Sequence, residues 1–280
     1  MKKFLVIFII IFSPYVSSEA IQLANLNAYH QNHSDSSDTI FIILHGTRGH
    51  QNLELISSLR DSLNDNGIDS LSINLSYGIK NRQNDFLPCD IEHRHTVNNS
   101  INEIKRWYEY IKQKNYKNIY LIGHSRGGLD IMSFYRDLDV NDQDLINSIF
   151  LIAPISDNIS DHIVNYKQKD NIDINLIKNN DLLEIDFLGC ENATVTGKSF
   201  KSYYHYVDTT NLIDSLKSSL AQVYIITASD DSIAPLTHNR VKESIEGKNN
   251  LELYLIDGAD HFFRDFYFDD LLEIVLQKIK

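Results

Sequence analysis

The pentapeptide Gly123-His124-Ser125-Arg126-Gly127 follows an apolar run, Tyr120-Leu121-Ile122, and precedes a helical pattern from Gly127 to Leu138. The spacing fits G-x-S-x-G, in which a serine occupies a sharp strand-to-helix turn. Small residues two before and two after the serine are needed because the turn presses backbone against backbone. Such a turn lifts the Ser125 hydroxyl above the sheet edge. It also aims the Arg126 backbone N–H, at the helix start, toward a developing oxyanion. A lone G-x-S-x-G is a weak signal, and its plain alternative is a glycine-rich turn before a helix. The flanking strand and helix patterns make it specific. A serine hydroxyl is a poor nucleophile, so this chemistry needs a base and a group to orient that base.

In that context the sequence resembles the α/β-hydrolase superfamily. The stretch from Cys89 to Gly128, CDIEHRH…GHSRGG, is similar to a branch known mainly as exported proteins of uncharacterised activity. The resemblance covers nearly all of residues 21–280. It implies an α/β fold with a doubly wound, mostly parallel sheet and a lid or cap insertion. It also implies a Ser–acid–His triad, in that chain order, at the carboxyl ends of the strands.

The family pattern places the acid after the strand Gln222–Thr227, where the chain reads Ala228-Ser-Asp-Asp-Ser-Ile-Ala-Pro235. An acidic residue four before a proline selects Asp231. Asp230 is the close competitor, and Asp157 is a remoter one. The base is expected after the last strand, where Asp257-Gly-Ala-Asp-His261 matches the family's G-x-x-H ending. An imidazole, with an ordinary pKa of about 6.5, can accept the serine proton and return it to the leaving group. The acid holds the tautomer and stabilises the imidazolium. For the oxyanion, the family keeps an HG-x-x-G loop, which here is His45-Gly46-Thr47-Arg48-Gly49. Thr47 N–H is the expected donor beside Arg126 N–H, with His45 and Gly46 shaping the loop. His124, inside the elbow, is a candidate binding residue.

These residues need a scaffold, and the chain alternates strand-like and helix-like segments. Thr39–Leu44, Ser70–Leu75, Asn118–Ile122, Ile146–Ala153, Gln222–Thr227 and Leu251–Ile256 read as strands. Leu53–Leu63, Val97–Lys112, Gly127–Leu138 and Tyr267–Ile279 carry helical spacing. Six strands alternating with helices imply parallel pairing and right-handed crossovers. Residues 156–220 interrupt the alternation and are too long for a loop. They read as a lid over the sheet, or else as surface decoration. Tyr203, Tyr204, His205 and Tyr206 within them either line a pocket or pack the lid. Arg126 is expected to pair with an acidic group, or to meet an acidic substrate.

Residues 1–20 have the order of a secretory signal peptide: Lys2 and Lys3, an apolar run Phe4–Phe12, then small residues. The competing reading is an uncleaved anchor, but nine apolar residues fall short of the ~20 a span needs. Residues 21–280 then form one exported domain, periplasmic or secreted. Export implies an oxidising compartment, so Cys89 and Cys190 are expected to form a disulfide rather than two buried thiols. The net charge of −12 argues against nucleic acid and against an anionic membrane surface. Glu92-His93-Arg94-His95 is weak as a metal site, so no metal and no cofactor are expected. His93 is expected to border the pocket.

The sequence therefore points to a serine hydrolase that cleaves a carboxylic ester or thioester of a small-molecule acyl substrate. An amidase or peptidase with the same residues is the alternative within enzymes. A catalytically silent ligand-binding protein on the same fold is the alternative outside them.

Overall fold

The computed structural model describes residues 17–33, 37–204 and 211–279. Most of the predicted signal segment, together with His205 and Tyr206, lies outside the described residues. The chain runs β1 (Ser17–Leu23), β2 (Leu26–Asn32), β3 (Thr39–Leu44), α1 (Glu54–Asp65), β4 (Asp69–Ile73), α2 (Val97–Lys112), β5 (Asn118–His124) and α3 (Arg126–Arg136). It continues through α4 (Val140–Gln143), β6 (Ile146–Ile152), α5 (Ile159–Asp170), β7 (Leu182–Phe187), β8 (Cys190–Thr196) and α6 (Gly197–Tyr204). Helix Leu212–Ser218, β9 (Gln222–Ala228), helix Thr237–Ser244, β10 (Leu251–Ile256) and helix Tyr267–Gln277 complete it.

Eight strands form one sheet in the order β1-β2-β4-β3-β5-β6-β9-β10. The six from β4 to β10 are parallel, as the sequence predicts, and β1 and β2 add antiparallel at one edge. This edge pair is absent from the sequence reading. Its residues, SSEAIQL and LNAYHQN, are too polar to stand out, because in β2 only alternate positions, Leu26, Ala28 and His30, are buried. β1 begins at Ser17, four residues inside the predicted segment 1–20.

The central strands are apolar on both sides because helices cover both faces. In β3, Ile40, Ile42 and Leu44 join the core under α2 and α3, with Trp107 and Tyr108. Phe41 and Ile43 point oppositely, into the core under α1 and the C-terminal helix, with Leu59 and Val275. This period of two is the strand pleat itself. α1 ends at Asn66-Gly67, where Gly67 takes a φ of 78° that a side chain resists. α2 starts with a capping box in which Thr96 and Asn99 satisfy each other's backbone N–H.

The insertion is built of α5, the hairpin β7–β8, α6 and the helix Leu212–Ser218. It grips the loop before α2. His93 N donates to Thr194 O, and Thr196 N donates back to His93 O. A Cys89–Cys190 disulfide, spanning 101 residues, ties the same two segments. No helix among the described residues is long and apolar enough to cross a membrane.

Candidate active site

Strand order brings the site together. β3 leads to β4 on one side, and the chain then crosses to β5 on the other. The carboxyl ends of β3 and β5 therefore flank a topological switch point, where α/β sheets bind ligands. The register pairs Leu44 with Gly123, so the loop after β3 emerges against the turn after β5.

Ser125 occupies that turn with φ 54° and ψ −125°, a strained conformation for a residue with a side chain. Its N–H donates to Ile152 O at 2.8 Å, and its carbonyl accepts from Gly128 N at 3.0 Å. The glycines are required by close approach. A Cβ on Gly123 would lie 2.5 Å from Gly127 O, and one on Gly127 would lie 2.4 Å from His45 O. Arg126 opens α3, so its N–H has no partner within the helix.

The loop after β3 forms a turn closed by Gly49 N to Gly46 O at 3.1 Å, with Arg48 at φ 58°. This turn leaves the Thr47 N–H without a turn partner, and Thr47 lines the cavity above Ser125. Two arginines hold the turn in place. Arg82 is buried and donates to Gly49 O, Leu75 O and Asp85 O at 2.7, 2.6 and 2.6 Å. Arg48 Nε donates to Leu87 O at 2.8 Å. Sequence reasoning missed Arg82, because nothing in its local pattern signals a distant carbonyl.

Parallel pairing of β9 with β10 places Ala228 beside Ile256, so the loops after them emerge together. Asp231 Oδ2 accepts from His261 Nδ1 at 2.8 Å. Its Oδ1 accepts from Ile233 N and Ala234 N, each at 2.8 Å. Burial pushes the Asp231 carboxyl up, but the His261 and backbone hydrogen bonds outweigh this and hold it below the ordinary range. Asp230 instead accepts from Ser229 Oγ, and Asp157 lies 3.6 Å from Arg240. Asp260 pairs with Arg264. His261 therefore meets Asp231 among these carboxylates.

A cavity of about 330 Å³ opens above Ser125. Gly46, Thr47, His124, Ser125 and His261 form its polar floor. Leu53, Leu55, Ile56, Phe86, Ile233 and Phe262 form apolar walls, with Glu54 and Arg264 beside them. Phe86, Ile233 and Phe262 are 56%, 53% and 36% exposed, so large apolar groups face solvent at the mouth. The wall residues did not emerge from sequence as a set, because they come from the start of α1 and three separate loops.

Two expected binding residues stand elsewhere. His93 is not among the residues lining the cavity; it is buried under the insertion, with its ring 5.4 Å from that of Phe187. Its loop follows β4 to the catalytic side, but the insertion covers it. His45 is buried below the cavity, where Nδ1 donates to Gly46 O at 2.8 Å and Nε2 accepts from Leu75 N at 3.3 Å. It shapes the turn and does not line the cavity. Burial first, then Arg82, lowers its pKa to about 3, which keeps it neutral. No group of three or more metal-ligating side chains occurs among the described residues. The described residues of the insertion contribute nothing to the cavity lining. Tyr203 and Tyr204 pack inside it instead, against Phe187 and Phe200.

No curated protein matches this chain. Among solved structures, Est1E from Butyrivibrio proteoclasticus is similar, with a TM-score of 0.65 and 19% identity, covering 93% of this chain and 98% of its own. A second structure of that protein has ferulic acid bound. An α/β serine hydrolase homologue from Coxiella burnetii gives a TM-score of 0.58 at 15% identity, over 94% of this chain and 97% of its own. The esterase domain of a Rhodothermus marinus protein gives 0.59 at 12% identity, over 93% and 96%. At these identities the likeness establishes the α/β-hydrolase fold. Residues 23–181, more than half of the chain, match the family described as "Alpha/beta hydrolase of unknown function (DUF900)", and the chain belongs to that family.

Proposed function

We propose that the protein is an exported serine hydrolase that cleaves carboxylic esters or thioesters through an acyl-enzyme on Ser125. One observation carries this reading: the bonded Asp231–His261 pair and the strained Ser125 turn border a single cavity. In the proposed mechanism Ser125 Oγ attacks the acyl carbon while His261 Nε2 takes its proton. Asp231 fixes the tautomer with the proton on Nδ1 and balances the imidazolium. The N–H groups of Thr47 and Arg126 receive the oxyanion. His261 then protonates the departing alcohol or thiol. Water, deprotonated by His261, attacks the acyl-enzyme, and the carboxylic acid leaves as the serine recovers its proton.

The cavity walls support a compact apolar acyl group. Phe86 and Phe262 at the mouth favour aryl-acyl esters within that class, and the ferulic acid held by Est1E points the same way. The Cys89–Cys190 bridge supports export, since such bonds persist in oxidising compartments. We read residues 1–20 as the address segment and residues 156–220 as a cap on the Arg126 side of the elbow.

A fluorophosphonate probe tests the nucleophile. Intact mass should show one adduct on the wild type and none on Ser125→Ala; an unlabelled wild type overturns the reading. p-Nitrophenyl esters from acetate to decanoate, with benzoate and cinnamate beside them, map the acyl group. Faster turnover of matched anilides would favour an amidase.

A further inference from the structure

Arg126 contributes its N–H to the candidate oxyanion site, yet its side chain runs the other way, into the insertion. It is only 6% exposed. Its guanidinium carbon lies 5.2 Å from the ring centre of Tyr203 and 6.0 Å from that of Tyr204, both at the end of α6. Nε has no hydrogen-bond partner among the described residues. Asp130, one helical turn on, is equally buried, and its Oδ1 has none either. The guanidinium thus lies against two aromatic faces in a desolvated setting, where such contacts are strongest, with the buried Asp130 carboxyl near enough to interact with its charge.

Both tyrosines are pinned from outside the elbow. Tyr203 shares a hydrogen bond with His95 Nδ1 at 3.0 Å. Tyr204 Oη accepts from Leu188 N at 2.9 Å, beside the hairpin turn. Ser202 Oγ accepts from Val97 N at 3.3 Å, and the Cys89–Cys190 bridge clamps the same pair of segments. The insertion therefore forms one braced unit with the loop before α2. Its described residues stay off the cavity wall but grip the residue next to the proposed nucleophile.

We propose that Arg126 is a positioning residue: its side chain, held between Tyr203 and Tyr204, transmits the docking of the insertion to the Ser125 turn. The strained φ at Ser125 and the aim of the Arg126 N–H are maintained through this grip. The insertion then governs turnover and not substrate binding. This rests on the hydrolase reading above.

The test measures kcat, KM and the rate of fluorophosphonate labelling for wild type, Arg126→Met, Arg126→Lys, Tyr203→Phe, Tyr203→Leu and the Arg126→Met/Tyr203→Leu pair. Arg126→Met should lower kcat and the labelling rate by roughly 10- to 30-fold, the range of a desolvated cation–aromatic contact, with KM little changed. Arg126→Lys should recover part of the loss, and Tyr203→Phe, which keeps the ring but loses the His95 hydrogen bond, should lose less than Tyr203→Leu. The double variant should be no slower than Arg126→Met alone. Equal rates for Arg126→Met and wild type, a change in KM alone, or multiplied losses in the double variant overturn the proposal. If Arg126→Met does not fold, Arg126→Lys with Tyr203→Leu supplies the same cycle. A wild type that takes no label sinks the hydrolase reading itself, which separates the two failures.

Discussion

His124 Nε2 donates a hydrogen bond to the backbone carbonyl of His261 at 3.0 Å. The residue before the proposed nucleophile thus holds the residue proposed as its base. Burial, then the neighbouring His261, lowers the His124 pKa to about 4, so the ring is neutral at pH 7 with one proton to give. Its ring centre lies 4.9 Å from that of His261. The contact runs from the end of β5 to the loop after β10, so it fixes where that loop sits above Ser125.

Removing that donor should loosen the His261 loop. His124→Ala is expected to lower kcat by about tenfold, the effect of roughly one net hydrogen bond, and His124→Asn to lose less. Steady-state kinetics on a p-nitrophenyl ester decide this. Identical rates for His124→Ala and wild type would remove the bond from the mechanism.

The acid assignment separates two adjacent residues. Asp231→Asn should cost about 10⁴ in kcat, because the amide no longer holds the productive tautomer. Asp230→Asn should stay within a few-fold of wild type, since Asp230 meets Ser229 and not His261. The reverse ranking in a rate assay would exchange their roles.

Stability should fall in mild acid. Burial, the largest cause in each case, lowers His45 and His95 to about 3, and His30, His124 and His162 to about 4. In the unfolded chain an imidazole titrates near its ordinary ~6.5. The unfolded state therefore binds more protons between those values. Stability from these groups is complete above about pH 6.5 and is lost as pH falls toward 4, at up to ~1.4 kcal/mol per pH unit for each proton taken up. Urea midpoints from pH 7.5 to 4.5 should decline steadily below pH 6.5. A flat profile would contradict neutral burial of these rings.

The disulfide should stabilise the fold through the insertion. Cys89→Ser with Cys190→Ser is expected to lower the unfolding free energy by about 2–5 kcal/mol. Urea unfolding with and without reductant checks it. An unchanged midpoint would assign the bridge no stabilising role.

Much of this was local and therefore legible in the sequence. The elbow announces itself because only glycine tolerates the backbone approaches at Gly123 and Gly127, and because β5 and α3 carry strong periodic patterns. The parallel core strands read clearly, since burial on both faces demands unbroken apolar runs such as Thr39–Leu44. The oxidising-compartment argument paired Cys89 with Cys190, and the structure joins them. Tertiary structure alone decided the rest. The spacing to Pro235 favoured Asp231 but left Asp230 one loop residue away as a competitor, and the Ile233 and Ala234 N–H groups that clamp Asp231 Oδ1 decide between them. The β1–β2 edge and the β7–β8 hairpin bury only alternate positions among polar neighbours, so their pattern is weaker than that of the central strands. Arg82 on the turn after β3, Phe86 at the cavity mouth and Arg126 beneath Tyr203 depend on contacts between segments far apart in the chain. Their partners lie far away in the chain, so strand order and the docking of the insertion, not local spacing, brought them together.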